Sequence, residues 1–208
     1  PLLHHPSMGR DYDRLALKKF FAYCYFPAPH TPYVGCRKLP AGHHLTFDLD
    51  ARTLDIACYW TFALEPDEGI QDRDEPRLLE DLRGLLSEAV RRRLISDVPL
   101  GIFLSGGIDS STVLAFAAQH KDPWELKTFS IGFREPSYDE SEFAREVASA
   151  IGSDHHERIL SLETARDLIP HVLERMDEPL GDPSIVPTYL LSAFTREHVT
   201  VALSGDGG

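Results

Sequence analysis

The order of apolar and glycine-rich segments predicts an α/β fold: a parallel sheet with helices on both faces, preceded by a β-rich segment. From Pro99 onward, short apolar runs alternate with helical patterns. Parallel strands require such crossovers, and an alternating pattern calls for helices packed on the sheet. Two glycine turns, Ser105-Gly106-Gly107 and Ser204-Gly205-Asp206-Gly207-Gly208, each follow an apolar run. Both therefore fall at strand carboxyl ends, where sheets of this kind bind ligands.

The first element is a helix over Tyr12 to Cys24, where Leu15, Leu17, Phe20, Phe21 and Ala22 give one wide apolar face. A loop rich in Pro and His follows from Pro27 to Tyr33. Leu45 to Leu49 and Thr53 to Ile56 then alternate around the polar turn Asp50-Ala51-Arg52, which predicts a β hairpin. Glu65 to Glu75 carries eight polar or charged residues in eleven, with Pro66 and Gly69, and is the expected linker. Glu75 to Ile95 places Leu78, Leu82, Leu85, Leu86, Ala89 and Val90 at helical spacing, so it predicts an amphipathic helix. Strands are expected at Leu100 to Leu104, Leu126 to Phe133, His155 to Leu160 and Val199 to Leu203. Helices are expected at Ser110 to Gln119, Asp139 to Ile151, Ser161 to Met176 and Ile185 to Glu197.

Composition narrows the partners. The 208 residues carry 33 acidic and 21 basic side chains, a formal net charge of −12. That balance argues against a nucleic-acid surface, which needs clustered Lys and Arg. The one basic cluster, Arg91-Arg92-Arg93, ends a helix, where cations favour the negative end of the dipole. No apolar run approaches the ~20 residues of a membrane span. Cys24, Cys36 and Cys58 lack the close pairing of a zinc or redox motif. Such a sparse, odd set suits a reducing, cytoplasmic location. Cys24 and Cys58 sit among aromatic residues and are expected in the core.

Ser105-Gly106-Gly107-Ile108-Asp109-Ser110 reads as a strand, a tight turn and a helix start that together hold phosphate. Adjacent glycines let backbone N–H groups approach an anion, and the helix N-terminus adds donors and a positive dipole end. Asp109, Ser110 and Ser111 stand where the helix needs capping groups. A Walker A loop is excluded because Gly107 occupies the lysine position, and the dinucleotide-binding fingerprint fails for want of a third glycine. A carboxylate beside phosphate is repulsive unless a divalent cation stands between them, so Asp109 predicts Mg²⁺.

This turn resembles the pyrophosphate loop of ATP pyrophosphatases, which cleave ATP between the α and β phosphates. The longer run from Ser96 to Ser111 is similar to the synthetase domain of glutamine-hydrolysing asparagine synthetases, and Ser204 to Gly208 is similar to that family's second active-site loop. Lys38-Leu39-Pro40-Ala41-Gly42-His43, Tyr59-Trp60 and Glu178-Pro179-Leu180-Gly181-Asp182-Pro183-Ser184 extend the resemblance over nearly the whole chain. It implies an adenine nucleotide alpha hydrolase-like fold behind the tail of an N-terminal nucleophile glutaminase domain. Residues 1–64 would be that tail, 65–75 the linker and 76–208 the first part of the synthetase domain. On this reading the chain is an internal fragment that lacks the glutaminase nucleophile and shows no turnover alone.

The resemblance further implies that ATP is bound by Leu104, Ser105, Gly106, Gly107, Asp109, Ser110, Ile131, Ser204 and Gly205. Leu104 and Ile131 would lie on the adenine side. Asp109 would hold Mg²⁺ with a second carboxylate beyond Gly208, and Asp206 would assist catalysis. The implied reaction converts aspartate, ammonia from glutamine and ATP into asparagine, AMP and pyrophosphate through β-aspartyl-AMP, and a homodimer stays open as the assembly. Related amide-forming synthetases, such as a β-lactam synthetase or a peptide cyclase, would keep every motif seen here, as would a noncatalytic nucleotide-binding protein. Asp206 also has a local reading, an Asp that stabilises its own turn. The pairs His4-His5, His43-His44 and His155-His156 suit no metal site, because neighbours on a strand point to opposite faces. Asp139 and Asp182-Pro183-Ser184 are expected to cap the helices that follow them.

Overall fold

The computed structural model describes residues 2–66, 69, 74–135, 139 and 141–206. Most of the expected linker, together with Tyr138, Glu140, Gly207 and Gly208, lies outside them. The chain divides into two compact units: residues 1–68 with 173–183, and residues 69–172 with 184–208.

In the first unit, helix α1 spans Arg14–Tyr23. The Asp13 carboxylate starts it by accepting from the Leu15 and Ala16 N–H groups at 2.8 and 3.1 Å. It ends at Cys24, whose left-handed backbone (φ 64°) stops the helix while its N–H still donates to the Phe20 carbonyl. Strands β1 (His43–Asp48) and β2 (Thr53–Cys58) pair as the expected antiparallel hairpin. The Gly42 carbonyl accepts from both Tyr59 and Trp60, so two motifs distant in sequence close the open end of this hairpin. Glu178 ion-pairs with Lys38, whose ammonium also donates to the Phe26 carbonyl at 2.6 Å. Cys24 and Cys58 are exposed, contrary to the core position expected from their aromatic neighbours. Those neighbours, Tyr23, Tyr25, Tyr59 and Trp60, are themselves exposed in this unit.

The second unit opens with α2 (Glu75–Arg93), capped by Asp74. Then come β3 (Leu100–Phe103), α3 (Ile108–Ala117), β4 (Lys127–Phe133), α4 (Ser141–Ile151), β5 (Asp154–Leu160), α5 (Leu162–Arg175, whose residues from Leu173 on count with the first unit), α6 (Ile185–Arg196) and β6 (Val201–Leu203). The four strands form a parallel sheet in the order β5-β4-β3-β6. Alternation along the strands separates two apolar layers. Ile102 and Leu104 pack with Val90, Leu114, Ala117, Ala144 and Ala148 from α2, α3 and α4, and with Leu94 at the C-cap of α2. Phe103 and Phe129 face the other way, onto Leu191 and Phe194 of α6 and onto Val199. Both faces of the sheet are therefore covered. His155 and His156 divide in the same way: His155 bonds Thr128 on the α3 and α4 side, and His156 stacks on Phe129 at 5.2 Å on the α6 side.

Candidate active site at the strand carboxyl ends

The sheet order sets where a crevice opens. From β3 the chain crosses through α3 to β4 on one side, while β6, after α6, joins β3 on the other. The strand order therefore reverses between β3 and β6, which is where open parallel sheets hold ligands. A cleft of about 330 Å³ occupies the position.

Its floor is the turn after β3. Four bonds close this turn on itself. The Ser110 hydroxyl donates to the Gly107 carbonyl and accepts from the Ser105 N–H, at 3.3 and 3.2 Å. The Ser105 hydroxyl lies 3.0 Å from that of Ser110 and accepts from the Gly107 N–H at 3.2 Å. Ser110 is only 7% exposed, so its hydroxyl is the hub that shapes the turn. Helix α3 starts at Ile108 with Gly107 at its N-cap and no side-chain cap. The expected capping by Asp109, Ser110 and Ser111 is thus corrected: all three lie inside the first turn, and Asp109 is instead a carboxylate at the positive end of the helix dipole.

The second loop reaches the same place. A Cβ on Gly205 would come within 2.6 Å of the Ser110 backbone nitrogen and 2.9 Å of the Asp109 carbonyl carbon. Only glycine permits this approach, and it brings Ser204, Gly205 and Asp206 against the first turn of α3. Asp206 accepts from the Ser204 hydroxyl at 2.8 Å, and its own N–H donates to that hydroxyl at 3.1 Å. The local turn reading of Asp206 therefore holds, and the same carboxylate lines the cleft.

Of the residues singled out in the sequence, Leu104, Ser105, Gly107, Asp109, Ser110, Ile131, Ser204, Gly205 and Asp206 all line this cleft. Gly106 does not. Its φ is +81°, and a Cβ there would strike the Phe143 backbone at 2.5 Å, so its task is to let the turn pass under α4. Sequence reasoning missed the rest of the wall: Phe103 from β3, Ser130 and Phe133 from β4, Ser141 and Ala144 from α4, and Pro187, Thr188 and Leu191 from α6. The one available signal was the continuity of Pro187 and Thr188 with the family-like run ending at Ser184. Ser184 occupies the N-cap position of α6 but makes no side-chain capping bond to it, unlike the expectation. Asp139 does act at the start of α4: its carboxylate accepts from the Ser141 and Phe133 N–H groups. Hydrogen bonds from Ser141 hold its carboxyl below the usual range.

The electrostatics of the lining are one-sided. Two carboxylates, Asp109 and Asp206, face the cleft, and no Lys or Arg is among the described residues that line it. Among the described residues of the lining, positive potential comes from backbone N–H groups and the α3 dipole.

Fold and cleft define an α/β domain with a crevice site between two glycine loops at the strand carboxyl ends. The chain belongs to the asparagine synthase family, whose profile matches residues 81–208. A Methanocaldococcus jannaschii protein provisionally named asparagine synthetase (glutamine-hydrolyzing) 2 is 41% identical over 194 residues, covering 93% of this chain and 36% of that protein. Asparagine synthetase (glutamine-hydrolyzing) 1 of Bacillus subtilis is 32% identical over 197 residues, covering 95% and 30%. The rat asparagine synthetase (glutamine-hydrolyzing) is 31% identical over 198 residues, covering 85% and 35%. The chain thus spans about a third of the length of the curated relatives it matches. Among solved structures, a glutamine-dependent NAD⁺ synthetase from Acinetobacter baumannii in complex with ADP is similar at a TM-score of 0.42 and 18% identity. It covers 74% of this chain and 28% of that one, and at this level the likeness carries no argument. Among the described residues, no helix is long and apolar enough to cross a membrane.

Proposed function

We propose that the cleft binds ATP and that the protein forms an amide from aspartate and ammonia, releasing AMP and pyrophosphate. The observation that carries this reading is the convergence of both family-like glycine loops, through the backbone contact of Gly205 on Ser110, around one cleft. Ser105, Gly107 and Ser110 would cradle the pyrophosphate portion, with the first-turn N–H groups of α3 as donors. Leu104 and Ile131 would flank the adenine. We propose residues 1–64 as the C-terminal part of a glutaminase domain that supplies ammonia, 65–75 as the linker and 76–208 as the first part of the synthetase domain. A cytoplasmic location agrees with three free cysteines.

The donor set fits Mg²⁺. Magnesium keeps several waters and is held by one or two carboxylates plus substrate phosphates, and a lining with Asp109 and Asp206 but no basic side chain among its described residues is of that kind. When bound, the ion offsets the phosphate charge that the protein leaves uncompensated.

The protein's own groups then have separate tasks. The serine-bonded turn fixes the polyphosphate so that a carboxylate oxygen of aspartate can attack the α phosphorus and expel pyrophosphate. Adenylation is needed because a carboxylate is a poor electrophile with no leaving group. Ammonia attacks the activated acyl carbon, AMP departs, and the excess proton of the adduct passes to the Asp206 carboxylate. The Ser204 hydroxyl holds that carboxylate toward the cleft. The test is to incubate the full-length gene product with ATP, Mg²⁺, aspartate and ammonia and to follow products by mass spectrometry. Equal amounts of asparagine, AMP and pyrophosphate support the reading. AMP formed only with another carboxylate moves it to a related amide synthetase, and no AMP under any condition rejects catalysis.

A further inference from the structure

The cleft is polarised along the sheet. Its β3 and β6 side carries the serine-bonded turn and both carboxylates, whereas its β4 and α4 side presents Ile131, Phe133 and Ala144. A nucleoside belongs on the apolar side, where a few convergent polar groups set its orientation. Ser130, 3% exposed, is one of them.

Behind Ser130 runs a hydrogen-bonded chain that the proposed chemistry leaves unused. His155 Nε2 lies 3.2 Å from Ser130 Oγ, its Nδ1 lies 2.9 Å from Thr128 Oγ1, and Thr128 Oγ1 lies 3.1 Å from Ser153 Oγ. Glu157 Oε2 stands 4.0 Å from His155 Nε2 and is paired with Arg145 at 3.4 Å. A carboxylate on the Nε2 side favours the tautomer that carries its proton there. The direction of the chain follows. In that tautomer Ser153 donates to Thr128, Thr128 donates to Nδ1, and Nε2–H donates to the Ser130 oxygen. With that oxygen already accepting, the Ser130 proton is left for the cleft. Burial pushes the His155 pKa below its ordinary value, which keeps the ring neutral and this order intact near pH 7.

We propose that His155 is a positioning residue for the nucleotide: through Ser130 it directs a hydroxyl donor at an acceptor atom of the nucleoside half of ATP. The inference rests on the ATP reading and adds a residue pair that neither glycine loop contains.

Calorimetric titration of the full-length gene product tests it, with Mg²⁺·ATP and Mg²⁺·pyrophosphate as separate probes. Ser130→Ala is expected to weaken ATP about three- to tenfold, the usual worth of one neutral hydrogen bond, and to leave pyrophosphate affinity unchanged. His155→Phe should match it, and His155→Gln, whose amide can still donate to Ser130, should recover most of the loss. The double variant Ser130→Ala/His155→Phe should be no weaker than Ser130→Ala alone. Unchanged ATP affinity in Ser130→Ala overturns the proposal. So does an equal loss toward pyrophosphate, which would mark a merely structural effect, or fully additive losses in the double variant. If the unaltered protein bound neither probe, the ATP reading itself would fall, and with it this inference.

Discussion

At the residue scale, the Ser110 hydroxyl and the missing side chain of Gly205 do most to define the site. Ser110, itself buried, joins Ser105, Gly107 and the start of α3 in one network. Ser110→Ala removes a shared donor and acceptor, and the expected cost is about 1–3 kcal/mol in turn stability, read as a tenfold or greater loss of pyrophosphate affinity in calorimetry. Gly205→Ala drives a methyl into the Ser110 and Asp109 backbone. That contact cannot be relieved by a side-chain rotation, so the variant should lose about 1–3 kcal/mol in chemical denaturation and bind ATP poorly. Retention of wild-type affinity in Gly205→Ala would show that the two loops need not touch.

At the element scale, α6 joins packing to the site. Its Phe194 is buried, meets Phe129 edge-on at 5.8 Å and lies under the Arg158 guanidinium at 4.2 Å, while Leu191 and Thr188 on the same helix line the cleft. Phe194→Ala should cost about 3–5 kcal/mol in urea unfolding, and a loss below 1 kcal/mol would contradict this packing. The elements were legible in the sequence because their periodicities are strong. Leucine spacing marked α2, and alternation with a polar turn marked the β1–β2 hairpin. The site was legible on the strand side, since glycine turns at strand ends are local signals. It was illegible on α4 and α6, because helical spacing alone does not say which turn faces a cleft formed by residues far away in sequence. The start of α3 was misread by two residues: Ser and Asp are the usual caps, but here Gly107 stands at the N-cap, so the first-turn N–H groups have no side-chain cap. The cysteines were misread because aromatic neighbours in sequence do not guarantee burial.

At the scale of the whole molecule, acid should destabilise the fold in two stages. Burial lowers the His155 pKa, so the unfolded chain takes up its proton first and stability declines as pH falls below about 6.5. Carboxylates with lowered pKa contribute stability above their unfolded values and lose it as pH drops through the folded ones. Glu88 is lowered to about 2 by Arg91 and Arg92; Asp154 is lowered by Lys127, and Glu197 by Arg158. Thermal midpoints measured from pH 8 to pH 2 should fall first below about pH 6.5 and again below about pH 4.5, and His155→Gln should remove only the first fall. A flat profile between pH 7 and pH 5 would contradict the buried neutral His155. One labelling measurement tests the adenylation of aspartate most directly. The full-length gene product would be given aspartate carrying ¹⁸O in its side-chain carboxylate, with ATP, Mg²⁺ and ammonia, and the nucleotide product weighed by mass spectrometry. Adenylation predicts one ¹⁸O in AMP for each asparagine formed, because the carboxylate oxygen that attacks the α phosphorus leaves with it. Label in inorganic phosphate beside ADP, or asparagine formed with unlabelled AMP, would contradict the account.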